Sequence, residues 1–397
     1  MKMKIAKKLM ALSLAAVMAG SCLTACGDSS KADGKGGDEK TLVIGGSGPL
    51  TGGAAQYGTA VKNAAQLAVD EINEAGGVDG VKFKLVFEDD EADKGDKAVN
   101  AYNALKDKGM QIMLGTVTTG SCLAVIDKTK QDNVFQLTPS ASAQDVIKND
   151  NAFQVCFTDP NQGKASADYI AQNNIAKKIA VIYDNSDAYS SGIYNTFKSE
   201  ASEKGLDIVA EQSFTSDSKT DFSAQITAAK NANAELLFLP IYYQEASLIL
   251  AQAKSAGYSP KFFGCDGLDG LLDVENFDKS LAEGVMLLTP FAADAADDAT
   301  QKFVKAYKEK YNNETPNQFA ADAYDGVKVI AKLVEKEKIK GNMSTSEICD
   351  KLKNAITDGF SYDGLTGQGM TWGKDGAVSK DPKAVVIKDG AYSALDK

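Results

Sequence analysis

The sequence predicts an α/β protein with two Rossmann-like, doubly wound lobes. From Thr41 onward, apolar runs of strand length alternate with helical patterns, which is typical of βαβ units and parallel sheets. Nine such runs precede the C-terminal tail, more than one modest sheet usually holds. The chain has 397 residues, which is enough for two domains of ordinary size.

The elements follow one another in a regular order. The predicted strands are TLVIGG, VKFKLVFED, MQIMLGTV, VFQLTPS, KKIAVIYD, LDIVAEQ, AELLFLPIYY, KFFGCDG and GVMLLTPF. The first helix is predicted from apolar residues at helical spacing, namely Val61, Ala64, Ala65, Ala68, Val69 and Ile72. From Thr289 the tail is mainly helical and ends in the strand-like pieces MTWG and AVVIKDG.

The composition excludes several classes of function. There is no histidine, and all 43 basic residues are lysines, against 54 acidic residues. Without histidine there is no Ser-His-Asp triad, Cys-His pair or imidazole metal ligand, and without arginine there is no bidentate anion fork. The net charge of −11 disfavours nucleic acid as a partner. We expect a binding protein rather than an enzyme, with no metal and no cofactor.

The N-terminus carries a secretion signal. Four lysines precede an apolar stretch, residues 9–19, that is too short to span a bilayer comfortably. The stretch ends in LTAC, which resembles the bacterial lipobox, in which cleavage precedes a lipid-modified cysteine. We predict a signal peptide over residues 1–25, lipidation of Cys26 and a flexible tether over 26–40. The alternative is an ordinary signal peptide with a chance cysteine. The lipobox interpretation places the protein on the extracytoplasmic face of the cell membrane, at the bacterial surface or in the periplasm.

Four cysteines remain in the body, at Cys122, Cys156, Cys265 and Cys349. They are far apart and form no C-x-x-C motif. Three disulfide pairings are possible in principle. We expect mostly buried free thiols.

Loops at the predicted strand ends carry polar groups suited to a zwitterion. In parallel sheets, ligands bind beyond the carboxyl ends of the strands. These loops are GPLTGG, TVTTGS, TPSASA, DNSDAYSSG, PIYYQE and CDGLDG. Hydroxyls and backbone N–H groups can hold a carboxylate, acids can hold an ammonium, and tyrosines can enclose an aliphatic side chain. The glycine-rich loop 46–58 lacks the P-loop lysine and the dinucleotide spacing, so it is an anion site at a helix start or a plain turn.

Five stretches give the body a resemblance to a known family. In order, they are GPLTGGAAQYG…DEINEAGGVDG, FEDDEAD, LGTVTTGS, LTPSASA and FFGCDG. They resemble the leucine/isoleucine/valine-binding proteins of bacterial ABC importers, which have the type I periplasmic-binding fold. The resemblance implies two lobes joined by crossing strands: residues 41–157 with 289–370, and 158–288 with 371–397. It also implies an amino acid ligand in the cleft, a monomer, and permease and ATPase partners.

The resemblance assigns ligand-binding positions in the first lobe. Tyr57 takes the place of an aromatic residue that covers the cleft. Thr119 takes the place of a hydroxyl that binds the ligand carboxylate. Ser140, Ala141 and Ser142 flank the carboxylate and amino groups. Tyr57 could instead pack on its loop, and Thr119 and Ser142 could instead cap helices.

In the second lobe the resemblance assigns the remaining contacts. Tyr189 and Tyr242 fall at ring-contact positions, with rim or core packing as the alternative. Asp266 and Gly267 fall where an acid accepts the ligand ammonium, although Asp266 could be a turn residue. Aspartate is one methylene shorter than the glutamate usual in the family, which leaves the preferred ligand open more than its class.

Other interpretations stay open at this point. A different small ligand, such as an amide, urea or another amino acid, fits the same loops, as does a lipoprotein that signals to a membrane sensor. An enzyme with paired carboxylates would need Asp184 or Asp187 beside Asp266. The acidic stretch FEDDEADKGD departs from calcium-loop spacing and predicts an acidic turn before a helix.

Overall fold

The computed structural model describes residues 38–380 and 382–395. The predicted signal peptide, Cys26 and most of the predicted tether lie outside the described residues. Within the described part, no helix combines the length and the apolar character needed to cross a membrane.

The first sheet has five parallel strands in the order β2-β1-β3-β4-β5. The strands are β1 Thr41–Gly48, β2 Lys82–Asp89, β3 Ile112–Gly115, β4 Phe135–Thr138 and β5 Ala152–Gln154. The connecting helices are α1 Ala55–Glu74, α2 Asp96–Asp107 and α3 Thr119–Gln131. All the apolar residues predicted for the inner face of the first helix are buried in α1. We call this sheet and its helices the first lobe.

The second sheet has seven strands in the order β14-β13-β10-β9-β8-β6-β7. Its parallel strands are β6 Lys178–Asp184, β7 Asp207–Phe214, β8 Leu236–Leu239, β9 Lys261–Gly264 and β10 Met286–Thr289. Its helices are α4 Asp159–Gln172, α5 Ala188–Glu203, α6 Ser223–Asn231 and α7 Tyr243–Ser255. We call this sheet and its helices the second lobe.

An antiparallel hairpin extends the second sheet, which the sequence predicts only as parallel. The hairpin is β13 Lys383–Lys388 and β14 Ala391–Ala394, and β13 pairs with β10. Asp389 and Gly390 between the two strands both have positive φ, at 52° and 73°. This backbone is that of a tight two-residue turn, for which Asp-Gly is a preferred sequence.

The tail joins both lobes. It contains α8 Asp298–Lys310, α9 Gln318–Glu337, α10 Thr345–Thr357 and the short pair β11 Ser361–Tyr362 and β12 Met370–Thr371. The start of α9 packs in the core around the second sheet, and its later turns pack in the core of the first. Trp372 and Val378, which the predicted boundaries assign to the second lobe, pack in the first-lobe core.

The four cysteines of the body are all buried and free, as predicted. Each lies in an apolar region of the core or beside it. Burial raises the pKa of each thiol above its usual range. These side chains therefore serve as small apolar core residues rather than reactive thiols.

Candidate ligand-binding site

A narrow cavity lies between the lobes, at the carboxyl ends of both sheets, with about 20 Å³ of free space for a water-sized molecule. The walls are therefore close together in this conformation, and the residues that line the cavity define the site rather than its volume. Eight of the nine predicted binding residues line it: Tyr57, Thr119, Ser140, Ser142, Tyr189, Tyr242, Asp266 and Gly267. Val117, Thr118 and Phe319 complete the wall. Residues that are far apart in the chain are thus brought together at one place.

The first-lobe side of the cavity presents hydroxyls and a helix start. Thr119 is the first residue of α3, and its Oγ1 accepts a hydrogen bond from the Ser142 backbone N–H at 3.2 Å. The Ser142 hydroxyl is buried and has no hydrogen-bond partner among the described residues. Neither hydroxyl caps a helix, since the α3 N-cap is Thr118 and its side chain makes no capping bond. A helix N-terminus flanked by hydroxyls is suited to a carboxylate.

Ala141 is the predicted residue that does not line the cavity. Its side chain packs in a small apolar cluster with Val146, and its carbonyl accepts a hydrogen bond from Gln154 Nε2 at 2.9 Å. The neighbouring Ser140 donates its hydroxyl to the Val117 carbonyl at 2.6 Å. Ala141 thus fixes the loop after β4, while the serines on either side face the cavity.

Asp266 is the acidic group of the cavity. It follows β9 in a short 3₁₀ turn and is only 3% exposed. Its Oδ1 accepts a hydrogen bond from the Tyr189 hydroxyl at 2.6 Å, and its backbone N–H donates to Gln162 Oε1 at 3.1 Å. Burial raises the pKa of Asp266 to about 6, although the hydrogen bond from the Tyr189 hydroxyl opposes the shift. No lysine forms an ion pair with Asp266 within the described residues.

Gly267 allows close packing beside this carboxylate. The Tyr57 hydroxyl reaches from the first lobe and donates to the Gly267 carbonyl at 2.5 Å, while the Gly267 N–H donates to the Tyr189 hydroxyl at 2.9 Å. A Cβ at this position would lie 2.6 Å from the Tyr189 oxygen and 2.7 Å from the Ile241 carbonyl oxygen. Any larger residue would therefore displace the tyrosine that orients Asp266.

Aromatic rings form the apolar wall. The Tyr57 ring centroid lies 4.5 Å from that of Phe319 and 5.6 Å from that of Tyr242. Tyr242 in turn stacks on Tyr189 with the centroids 5.0 Å apart. The sequence did not single out Phe319, because its position at the start of the amphipathic α9 looks like an ordinary core residue.

Asp159 is a second buried acid beside the site that sequence reasoning missed. It is the first residue of α4 and is 1% exposed, and its backbone N–H donates to the Ser142 carbonyl at 2.8 Å. Neither carboxylate oxygen has a hydrogen-bond partner among residues 38–380 and 382–395, and burial raises its pKa well above the usual range. In the sequence TDP, an acid before proline indicates a helix start rather than a ligand site.

The lobes also touch at the mouth of the cleft. Lys94 of the first lobe pairs with Asp187 of the second at 3.1 Å and donates to the Ser186 carbonyl at 2.9 Å. A wider groove beside this contact opens outward from the tyrosine wall. Lys94 therefore bridges the lobes in the conformation described.

The two acids that an enzymatic site would require have other roles. Asp187 is the N-cap of α5 and accepts a hydrogen bond from the Ser190 N–H, and Asp184 accepts from Ser186 at 2.8 Å. Neither lines the cavity that contains Asp266. The acidic stretch after β2 forms a turn in which Asp89 accepts from the Leu50 N–H at 2.8 Å. In the described part of the chain, no cluster of three or more acids or cysteines could hold a metal ion.

Two α/β lobes that enclose a small polar cavity are typical of a solute-binding protein. The comparison with known proteins gives the family. Residues 41–391 match the family described as periplasmic binding protein, and the chain belongs to it.

Proteins similar in sequence and proteins similar in structure both agree with this family assignment. The chain is 34% identical to a Leu/Ile/Val-binding protein homolog of Brucella melitensis, over 89% of this chain and 94% of that protein. It is 31% identical to a leucine-, isoleucine-, valine-, threonine- and alanine-binding protein of Pseudomonas aeruginosa, over 75% of this chain and 78% of that one. The branched-chain amino acid transporter substrate binding protein LivJ from Streptococcus pneumoniae, solved in complex with isoleucine, has a TM-score of 0.80 and 30% identity, covering 89% of this chain and 98% of that structure.

Proposed function

We propose that this protein is the substrate-binding component of an ABC importer and that it binds a branched-chain or other small apolar amino acid between its lobes. One observation carries the proposal. The buried Asp266 carboxylate on the second lobe and the hydroxyls at the α3 start on the first lobe line the same small cavity. A zwitterionic amino acid offers a complementary charge to each side.

Each predicted residue has a proposed role. The ligand carboxylate is held by the hydroxyls of Thr119 and Ser142. Ser140, whose hydroxyl donates to the Val117 carbonyl, and Ala141 shape the loop that flanks the ligand. The ammonium is held by Asp266, with Gly267 allowing the close approach of Tyr189. The aliphatic side chain is enclosed by Tyr57, Tyr189 and Tyr242.

The names of the relatives support the ligand class. One is a Leu/Ile/Val-binding protein homolog, and another is named for binding leucine, isoleucine, valine, threonine and alanine. Asp266 is shorter than glutamate and leaves room for a different amino acid among the small apolar ones. The alternatives are another small ligand, such as an amide or urea, and a sensor that passes the closed state to a membrane receptor.

Ligand analogues test the proposal directly. A ligand that binds the folded state raises the unfolding temperature by mass action. We expect leucine, isoleucine or valine to stabilise the purified protein. Two analogues each lack one charge: leucinamide lacks the carboxylate, and 4-methylpentanoate lacks the ammonium. Both should bind far more weakly in calorimetry. Stabilisation by acetamide or urea but by no amino acid would contradict the proposal.

We also propose where the protein acts and with what. Lipidation of Cys26 would hold the body at the extracytoplasmic face of the membrane through residues 26–40, after removal of residues 1–25. The protein would act as a monomer and deliver ligand to permease and ATPase subunits. Loss of labelled amino acid uptake in cells lacking the protein would separate an importer from a sensor. For the lobe boundaries, we propose that the chain passes from the first lobe to the hairpin of the second after Val378 rather than after residue 370, because Trp372 and Val378 pack with the first sheet.

A further inference from the structure

A second groove lies between the second sheet and the tail, and it shares no lining residue with the interlobe cavity. We call it the tail groove. Four buried apolar residues form its walls. They are Leu272 of the 3₁₀ turn after Asp269, Leu287 of β10, Phe291 in the segment after β10, and Val304 of α8. Half-buried Tyr392 of β14 also lines it. An apolar molecule could lie along these walls.

One buried carboxylate lies among the residues that line this groove. The carboxylate belongs to Asp269, which is 5% exposed. Asp273 and Lys279 also line the groove, but both side chains are exposed. Asp269 Oδ2 accepts a hydrogen bond from the Gln318 backbone N–H at 2.9 Å. The other oxygen, Oδ1, is buried and has no hydrogen-bond partner within the described residues. Burial raises the pKa of Asp269 to about 7.

Among the described residues, no lysine that lines the groove neutralises this carboxylate. Lys279 and Lys308 line the groove, but neither forms an ion pair with Asp269 in the described part of the chain. Asp273 adds negative potential and helps to raise the pKa of Asp269. A buried, unpaired carboxylate oxygen is costly, and an ammonium that donates to it removes that cost.

We propose that the tail groove binds a small molecule with a primary ammonium on an apolar body. The ammonium would donate to Asp269 Oδ1 and the apolar body would lie against Leu272, Phe291 and Val304. The site is separate from the interlobe cavity but linked to it. Gln318 donates its backbone N–H to Asp269, and its side-chain amide donates to the Asp266 carbonyl at 3.2 Å.

A pair of matched probes tests the charge requirement. Cyclohexylmethylamine and cyclohexylmethanol have similar apolar bodies, and only the first carries an ammonium. By calorimetry on the full chain, we expect the amine to bind at least about tenfold more tightly, the difference typical of a charge-assisted hydrogen bond. The amine should still bind when the interlobe cavity is saturated with leucine, so that this result does not depend on the proposed transport function.

Two variants locate the binding. Asp269→Asn keeps an acceptor for Gln318 and should lose about tenfold or more in amine affinity. Ala391→Trp places a bulky ring at the exposed rim of the groove and should block the amine, whereas Ala394→Trp, exposed on the same strand but outside the groove, should not. Thermal melting confirms that each variant folds. Equal binding of amine and alcohol, equal binding by the two tryptophan variants, or displacement by leucine would overturn the proposal.

Discussion

Replacing Asp266 with asparagine tests the proposed ammonium site most directly. Asparagine keeps the shape of the side chain and an oxygen that can accept the Tyr189 hydrogen bond, which is 2.6 Å long. It removes the negative charge from a side chain that is 3% exposed and unpaired within the described residues. The change therefore isolates charge from packing.

The expected loss of affinity is large. Removing one member of a buried charge pair costs about 2–5 kcal/mol, because the partner remains buried and unpaired. At about 1.4 kcal/mol per tenfold, Asp266→Asn should weaken binding of the best amino acid by about 30-fold or more. The unliganded variant should not lose stability, since raising the pKa of Asp266 from 3.8 to about 6 means that its buried charge opposes folding at neutral pH.

Calorimetry with leucine on the wild type and the variant decides the point. Asp90→Asn is the matched control, because this acid is also buried, burial likewise raises its pKa to about 6, and it does not line the interlobe cavity. The control should bind leucine nearly as the wild type does. If Asp266→Asn binds within about threefold of the wild type, the ammonium is held elsewhere, and Asp159 becomes the acid to replace next.

The same carboxyl gives a pH dependence with a definite sign. Its pKa in the unliganded protein is about 6, and an ammonium partner favours the ionised form. Leucine affinity should therefore fall as the pH drops below about 6, and this fall should be absent in Asp266→Asn. The pKa of Asp266 in the folded protein lies above the usual value of 3.8, so folding takes up a proton at any pH between 3.8 and about 6. Protonation of Asp266 should therefore make the unliganded protein more stable as the pH falls from 7 towards 4.

Three further changes test other parts of the molecule. Cys26→Ala should leave the protein without acyl label and released from the membrane fraction, with leucine binding unchanged; label retained on the membrane-bound variant would refute the lipobox interpretation. Lys94→Met removes a partly exposed bridge to Asp187, so it should speed ligand release while changing affinity by less than about fivefold; complete loss of binding would contradict this. Lys380→Met leaves Asp322 buried without its partner at 2.6 Å, and should cost about 3–5 kcal/mol in urea unfolding, largely recovered by adding Asp322→Leu; a cost near zero would show that the pair is dispensable.

Much of the fold follows from local patterns, which also indicate the strand-end loops of the candidate site, whereas the individual residues of the site were assigned by the family resemblance. The nine apolar runs correspond to β1–β4 and β6–β10 because each is continuous and ends in a polar, glycine-containing or hydroxyl-rich loop. Parallel strands place those loops at one edge, so Thr119, Ser142, Tyr189 and Asp266 come together although they are far apart in the chain.

The features that the sequence did not predict depend on tertiary context. Strand β5 has three residues, too few for any periodicity. The antiparallel hairpin had a local signal, the Asp389-Gly390 pair, but its place beside β10 depends on the path of the tail. Phe319 looks like one more apolar residue of a helix. Only the approach of α9 to Tyr57 makes it part of the cavity wall.

The buried acid connects recognition to closure of the cleft. In the described conformation, burial of Asp266 beside the tyrosines raises its pKa to about 6. If the lobes separate without ligand, as the proposed function requires, closing them without a cation carries an electrostatic penalty that an ammonium at Asp266 would remove. A ligand shifts a conformational equilibrium only through such a difference in affinity between the two states. Bridges such as Tyr57 to Gly267 and Lys94 to Asp187 hold the lobes together without sensing the ligand charge. Under the proposed function, the specificity of closure for an amino acid would thus reside in the carboxylate, and its geometry in the tyrosines.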